Sequence, residues 1–174
     1  MTSDMTKEQK TFVRAVFAVY LVLLIWIILF KTALPGDRLA SRRMLNLIPF
    51  GAPAAGSVGK KEPFGNLLIF VPLGAFAVFC FRRKTGRPLR ACLLAAACGA
   101  GASLFFEAAQ YVFRIGSTDI TDLLMNTAGA FCGAVLFPVL CAFLGESRAA
   151  VAMSAAGAVL EVLFLALYVL ARRM

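Results

Sequence analysis

Between Ser103 and Gly133, six side chains break an otherwise apolar run: Glu107, Gln110, Arg114, Asp119, Asp122 and Asn126. Carboxylates, amides and a guanidinium in one place can hold a polar headgroup, bind a cation through oxygen ligands or move a proton. Ionisable groups close to a bilayer interior are expensive, so each is by default a candidate for function. The bland reading competes at the edges of the stretch. Asp119 suits a helix start, where an acid complements the dipole, and Arg114 suits an interfacial anchor. Glu107 lies deeper, where solvation explains it less well.

The spacing of these residues defines two stripes. At 100° per residue, Gly99, Ser103, Glu107, Gln110 and Arg114 fall within an arc of about 60–80° on one helix. Asp119, Asp122 and Asn126 share a similarly narrow face of the next, continued by Gly129 and Gly133. Thr118 or Thr121 is the expected cap of that second helix. Two antiparallel helices joined by a short turn would bring the stripes face to face.

The elements that must position them are set by hydropathy. Of the 174 residues, 61% are hydrophobic and 16% charged, against nearer half and a quarter in a soluble domain. Lipid is therefore the expected solvent of a single integral membrane domain over residues 1–174. The fold class is all-α, a polytopic bundle of about five transmembrane helices with a long loop after the first. The net charge of +9 sits in short clusters between apolar runs, which reads as topology signal and lipid-headgroup contact rather than nucleic-acid binding. With no histidine, serine–histidine triads and histidine metal sites are excluded. The five cysteines all lie within apolar runs without a CxxC pair, as small hydrophobic filler.

The first span covers Ala15 to Phe30 and is read as retained, since no small-residue cleavage site follows it. Residues 32–65 form the long loop, where prolines and glycines forbid a long helix. Arg38 to Leu45 is expected as a short interfacial helix, with Leu39, Met44 and Leu45 in lipid. Pro49 disfavours helix at Ile48, so Asn46 stands beside backbone groups that need partners. The second span runs from Phe64 to Phe81, with Asn66 near its start and a kink expected at Pro72. The third is Ala91 to Phe113, the fourth Thr121 to Leu144, and the fifth Ala149 to Leu170 with Glu161 near its centre. That last run would cross about 33 Å at 1.5 Å per residue.

Arg82, Arg83, Lys84, Arg87 and Arg90 place five positive charges in nine residues and assign that turn to the cytoplasm. The N-terminus is then cytoplasmic, and the polar ends of the third and fourth spans, with Asn46 and Asn66, converge on the outer leaflet of the membrane. Over the whole chain this topology leaves nine Lys/Arg on each side, so the density of the short turn decides.

Four ordered pieces carry a resemblance: Asn46-x-x-Pro49-Phe50; Asn66-x-x-x-Phe70-x-Pro72-x-Gly74; Ser103-x-x-x-Glu107-x-x-Gln110; and Asp119-x-x-Asp122-x-x-x-Asn126-x-x-Gly129-x-x-x-Gly133. Over about residues 40–135 the chain resembles the VanZ-like family of bacterial membrane proteins, with the helix at about 149–170 outside the match. It departs from the family where a basic residue usually precedes the first acid of the fourth piece; Gly116, Ser117 and Thr118 stand there, and Arg114 is the nearest base. The family's namesake is linked to low-level resistance to teicoplanin, so the resemblance implies an envelope role without supplying a reaction.

The expected binding residues are Asn46, Asn66, Ser103, Glu107, Gln110, Arg114, Asp119, Asp122 and Asn126. Arg42 and Arg43 would stand near an anionic group. The expected partners are membrane lipids and a lipid-linked cell-wall precursor. The alternative is an intramembrane enzyme acting on a lipid-linked phosphate or glycan, with a divalent cation on the carboxylates. A transporter using Glu161 ranks below both. No cofactor is identified from the residues.

Overall fold

The computed structural model describes residues 5–30, 44–51, 63–114 and 117–173. It holds five long helices, α1 (Lys7–Phe30), α2 (Pro63–Thr85), α3 (Pro88–Phe113), α4 (Ile120–Leu144) and α5 (Glu146–Arg173). Two three-residue strands, β1 (Met44–Asn46) and β2 (Ser117–Asp119), accompany them. Each helix contains a stretch long and apolar enough to cross a membrane, 19 to 26 residues in length. The protein is an all-α polytopic membrane protein.

Helices α1, α3 and α5 start before their apolar runs, and local chemistry explains the clearest case. Thr6 and Gln9 form a reciprocal capping box: Gln9 N–H donates to Thr6 Oγ1 at 3.2 Å, and Thr6 N–H donates to Gln9 Oε1 at 3.0 Å. The helix therefore begins at Lys7 rather than at Ala15. Likewise α2 runs through Pro72 and carries Arg82 and Lys84 in its last turns. Helix α3 begins at Pro88, a position where the missing N–H costs nothing.

The chain divides into two compact units, Met1–Leu24 with Phe137–Met174, and Ile25–Leu136. In the first, Gly157 of α5 lies against α1, where an added Cβ would rest 3.6 Å from Val16 Cγ1. Glu161 of α5 is half-buried between exposed Leu160 and Val162.

The second unit is built on backbone-to-backbone approach. A Cβ at Gly129 would collide with the Leu67 carbonyl, one at Gly133 with the Val71 carbonyl, and one at Gly74 with the Ala130 carbonyl. Glycines four apart on α4 thus seat that helix on α2, as small residues do where lipid supplies no hydrophobic drive. Gly99 of α3 meets Ala130 from another direction, so three helices close around one fully buried alanine. Phe70 and Phe106 tie α2 to α3 edge to face at 6.4 Å between centroids.

The strands pair in parallel, Met44 with Ser117, Leu45 with Thr118 and Asn46 with Asp119. A parallel pair requires a crossover, and here α2 and α3 supply it by running out and back. The ribbon therefore places the segment before α2 and the segment after α3 at the same end of the helices. Met44 and Leu45 lie in this strand instead of ending an interfacial helix. The parallel ladder captures their backbone groups, and Asn46 at its end is held by side-chain bonds. The rest of the expected 38–45 helix falls outside the described residues, as do Arg42 and Arg43.

Candidate functional site

Where the ribbon meets the helices, three separated stretches are joined by polar side chains. Glu107, 5% exposed on α3, accepts the Asp119 N–H through Oε2 at 2.8 Å. Its own backbone carbonyl accepts the Thr118 hydroxyl at 3.0 Å. Asp119, 4% exposed, uses both carboxylate oxygens: Oδ1 accepts the Thr121 N–H at 2.8 Å, and Oδ2 accepts the Asn46 amide at 3.1 Å. An acceptor on the N–H two residues on is the N-cap arrangement, so Asp119 itself caps α4. The expected caps do other work. Thr118 bonds α3, and Thr121 Oγ1 accepts the Phe50 N–H at 3.0 Å.

The segment after β1 is folded onto this clasp. Asn46 Oδ1 accepts the Ile48 N–H at 3.1 Å, and Gly51 N–H closes a turn on the Ile48 carbonyl at 3.2 Å. The turn holds Phe50 at φ +54°, a left-handed conformation that a bulky residue adopts only when its surroundings impose it. The bond to Thr121 is one such constraint.

Gln110 and Asn126 flank Glu107 along the helices. Gln110, 8% exposed, donates Nε2 to the Ile28 carbonyl in the last turn of α1 at 2.9 Å, satisfying a carbonyl that the helix end leaves over. Asn126, 1% exposed, donates to Ser103 Oγ at 2.9 Å, with Ser103 fully buried. Asn66 is also 1% exposed, at the start of α2, and Asp122 is half-buried in the first turn of α4. Arg114 behaves differently. It is the exposed left-handed C-cap of α3, with φ 57° and its N–H on the Gln110 carbonyl.

Of the nine residues singled out in the sequence, the hydrogen bonds join Asn46, Asp119 and Glu107 in one chain and pair Asn126 with Ser103. They tie Gln110 to α1. Asn66 and Asp122 lie on the neighbouring helix starts, and Arg114 stays at the surface. Thr118, Thr121 and the Ile28 carbonyl belong to the arrangement without a sequence signal specific enough to pick them out. Among the described residues, no three acidic or cysteine side chains are grouped as metal ligands. Chemically, the buried side chains offer mostly oxygen acceptors, suited to receiving donors and holding a polar group against hydrocarbon.

Comparison with known proteins supplies a lineage. A family model described as VanZ/LLP1 matches residues 17–141, taking in half of α1 and stopping before α5. Protein VanZ of Enterococcus faecium is 39% identical over 132 residues, which cover 74% of this chain and 74% of that protein. No solved structure matches the chain.

Proposed function

The chain belongs to the VanZ/LLP1 family of membrane proteins, and from that premise we propose that it acts at the outer leaflet on a cell-envelope component. Its polar end holds the headgroup of a lipid or lipid-linked precursor and so contributes to tolerance of glycopeptides such as teicoplanin. One observation carries the reading: half-buried Asn46 and buried Asp119 and Glu107, from three separated stretches, are bonded into one polar unit at the end of α3. The density of positive charge in the Arg82–Arg90 turn supports an outward orientation for that end.

The test is amide replacement. Glu107→Gln keeps an oxygen for the Asp119 N–H but removes the charge, and Asp122→Asn does the same in the first turn of α4. Expressed at the normal level in a teicoplanin-tolerant host, either variant is expected to abolish the tolerance contributed by the protein. Unchanged tolerance in both would overturn the assignment.

A further inference from the structure

The turn between α2 and α3 carries a dense patch of unpaired positive charge. Only Gly86, at φ +62°, and Arg87 separate the two helices. The Gly86 N–H donates to the Arg82 carbonyl at 3.2 Å, and the Thr85 hydroxyl donates to the Arg87 carbonyl at 3.3 Å. Lys84, Arg87 and Arg90 are exposed around this turn, and Arg82 is half-buried. None of the four makes an ion pair or a side-chain hydrogen bond among the described residues, and Arg82 Nη1 is buried without a partner. Arg87 and Arg90 hold the N-cap and N3 positions of α3, where helix starts ordinarily place a hydroxyl and an acid. Two guanidinium groups there repel each other, and no acid in the first turn offsets them.

The protein's own countercharges are remote. In the Ile25–Leu136 unit, the acids among the described residues are Glu107, Asp119 and Asp122. Glu107 lies roughly 26 Å along α3 from Arg90, at 1.5 Å per residue. The helices themselves set the depth of the patch. The apolar span of α2 ends at Arg82, and that of α3 begins at Pro88. Charges placed where two spans end lie at the level of lipid headgroups. Leu89 and Leu93, 73% and 57% exposed, continue from the patch along α3. An occupant must therefore bring negative charge at the interface and hydrocarbon below it.

We infer that this turn is a docking surface for anionic glycerophospholipids. The phosphodiester oxygens accept from the Arg87 and Arg90 guanidinium groups and the Lys84 ammonium, and the acyl chains lie along the exposed leucines. An arginine can give a phosphate two parallel N–H bonds, which fixes the headgroup as well as attracting it. A zwitterionic lipid brings the same phosphate, but its ammonium meets no acid at this end of the unit. Headgroup charge is thus what the surface discriminates. The surface stands at the other end of α3 from the Glu107–Asp119 clasp and does not rest on the outer-leaflet reading.

The test reconstitutes the full-length protein in vesicles of equimolar phosphatidylglycerol and phosphatidylcholine with identical acyl chains, and counts the retained lipids by native mass spectrometry. Wild type is expected to retain phosphatidylglycerol about fivefold or more over phosphatidylcholine, the ratio that one Lys or Arg near an anionic surface is worth. Lys84→Gln combined with Arg87→Gln and Arg90→Gln should bring the two lipids close to parity. Arg87→Lys with Arg90→Lys keeps the charge and should keep most of the preference. Equal retention of the two lipids by wild type overturns the proposal and needs no variant to fold. A triple glutamine variant with the full preference also overturns it, because the headgroups then sit elsewhere on the chain. Displacement of phosphatidylglycerol by an equal concentration of free glycerol phosphate would make the ligand a soluble phosphate. Displacement by polyglutamate at equal charge would make it an acidic protein, and either result overturns the lipid assignment. No antibiotic and no variant of Glu107 or Asp122 enters these readouts, so their failure is separable from that of the tolerance experiment.

Discussion

At its start, α3 has Arg87 in extended geometry, φ −123° and ψ 111°, with no side-chain bond to the first turn. Arg90 is exposed and Arg82 half-buried beside it, and the Thr85 hydroxyl turns to the Arg87 carbonyl instead of capping the helix. At its other end, the same helix is bonded to α1 through Gln110, to β2 through Glu107 and to α4 through Ser103. The contrast follows from solvent. A helix start among water and lipid headgroups can leave its N–H groups to the medium, whereas a helix end carrying buried polar side chains and leftover carbonyls must pair those within the protein. Charge marks the first kind of end, and hydrogen bonding defines the second.

The largest predicted effect removes the frame on which the bonded end stands. Gly129→Leu or Gly133→Leu drives a side chain into the backbone of α2, and should cost more than about 3 kcal/mol, read as loss of the thermal transition in detergent. Asp119→Ala removes the α4 cap and the Asn46 bond together and is expected to cost about 2–3 kcal/mol by the same measurement. Asn46→Ala should cost about 1 kcal/mol, since one buried partner and the Ile48 turn bond are lost. The uncapped end should respond in the opposite sense: Arg87→Ser supplies the missing cap and should stabilise by about 1 kcal/mol or less. A loss at Arg87 as large as that at Asp119 would break the distinction between the two ends.

Much of the framework was legible because hydropathy and helical period record it directly. The five spans and the two polar stripes follow from composition at 3.6-residue spacing, and Gly129 and Gly133 announced a close helix contact. The charge run of Arg82–Arg90 stood out for the same reason, since like charges cluster visibly along the chain. What escaped was set by contacts distant in sequence. Asn46 and Asp119 are 73 residues apart, and nothing local says that a parallel ribbon aligns them. Three polar residues in a row, Ser117, Thr118 and Asp119, read as a turn with a threonine cap; only the position of Glu107 decides that Thr118 bonds α3 and Asp119 caps α4. A groove between α3 and α4 is a shape left by Ala96, Ala100 and Ala128, which as residues signify only small size.

The account depends most on the bonded end of α3 facing outward. In a background with the five native cysteines replaced by alanine, single cysteines at Ser57, before α2 in the chain, and at Thr85, at the end of α2, decide it with a membrane-impermeant thiol reagent on whole cells. The account predicts labelling at residue 57 and protection at residue 85 until the membrane is opened. The reverse pattern would put the clasp at the cytoplasmic face and contradict an outer-leaflet site.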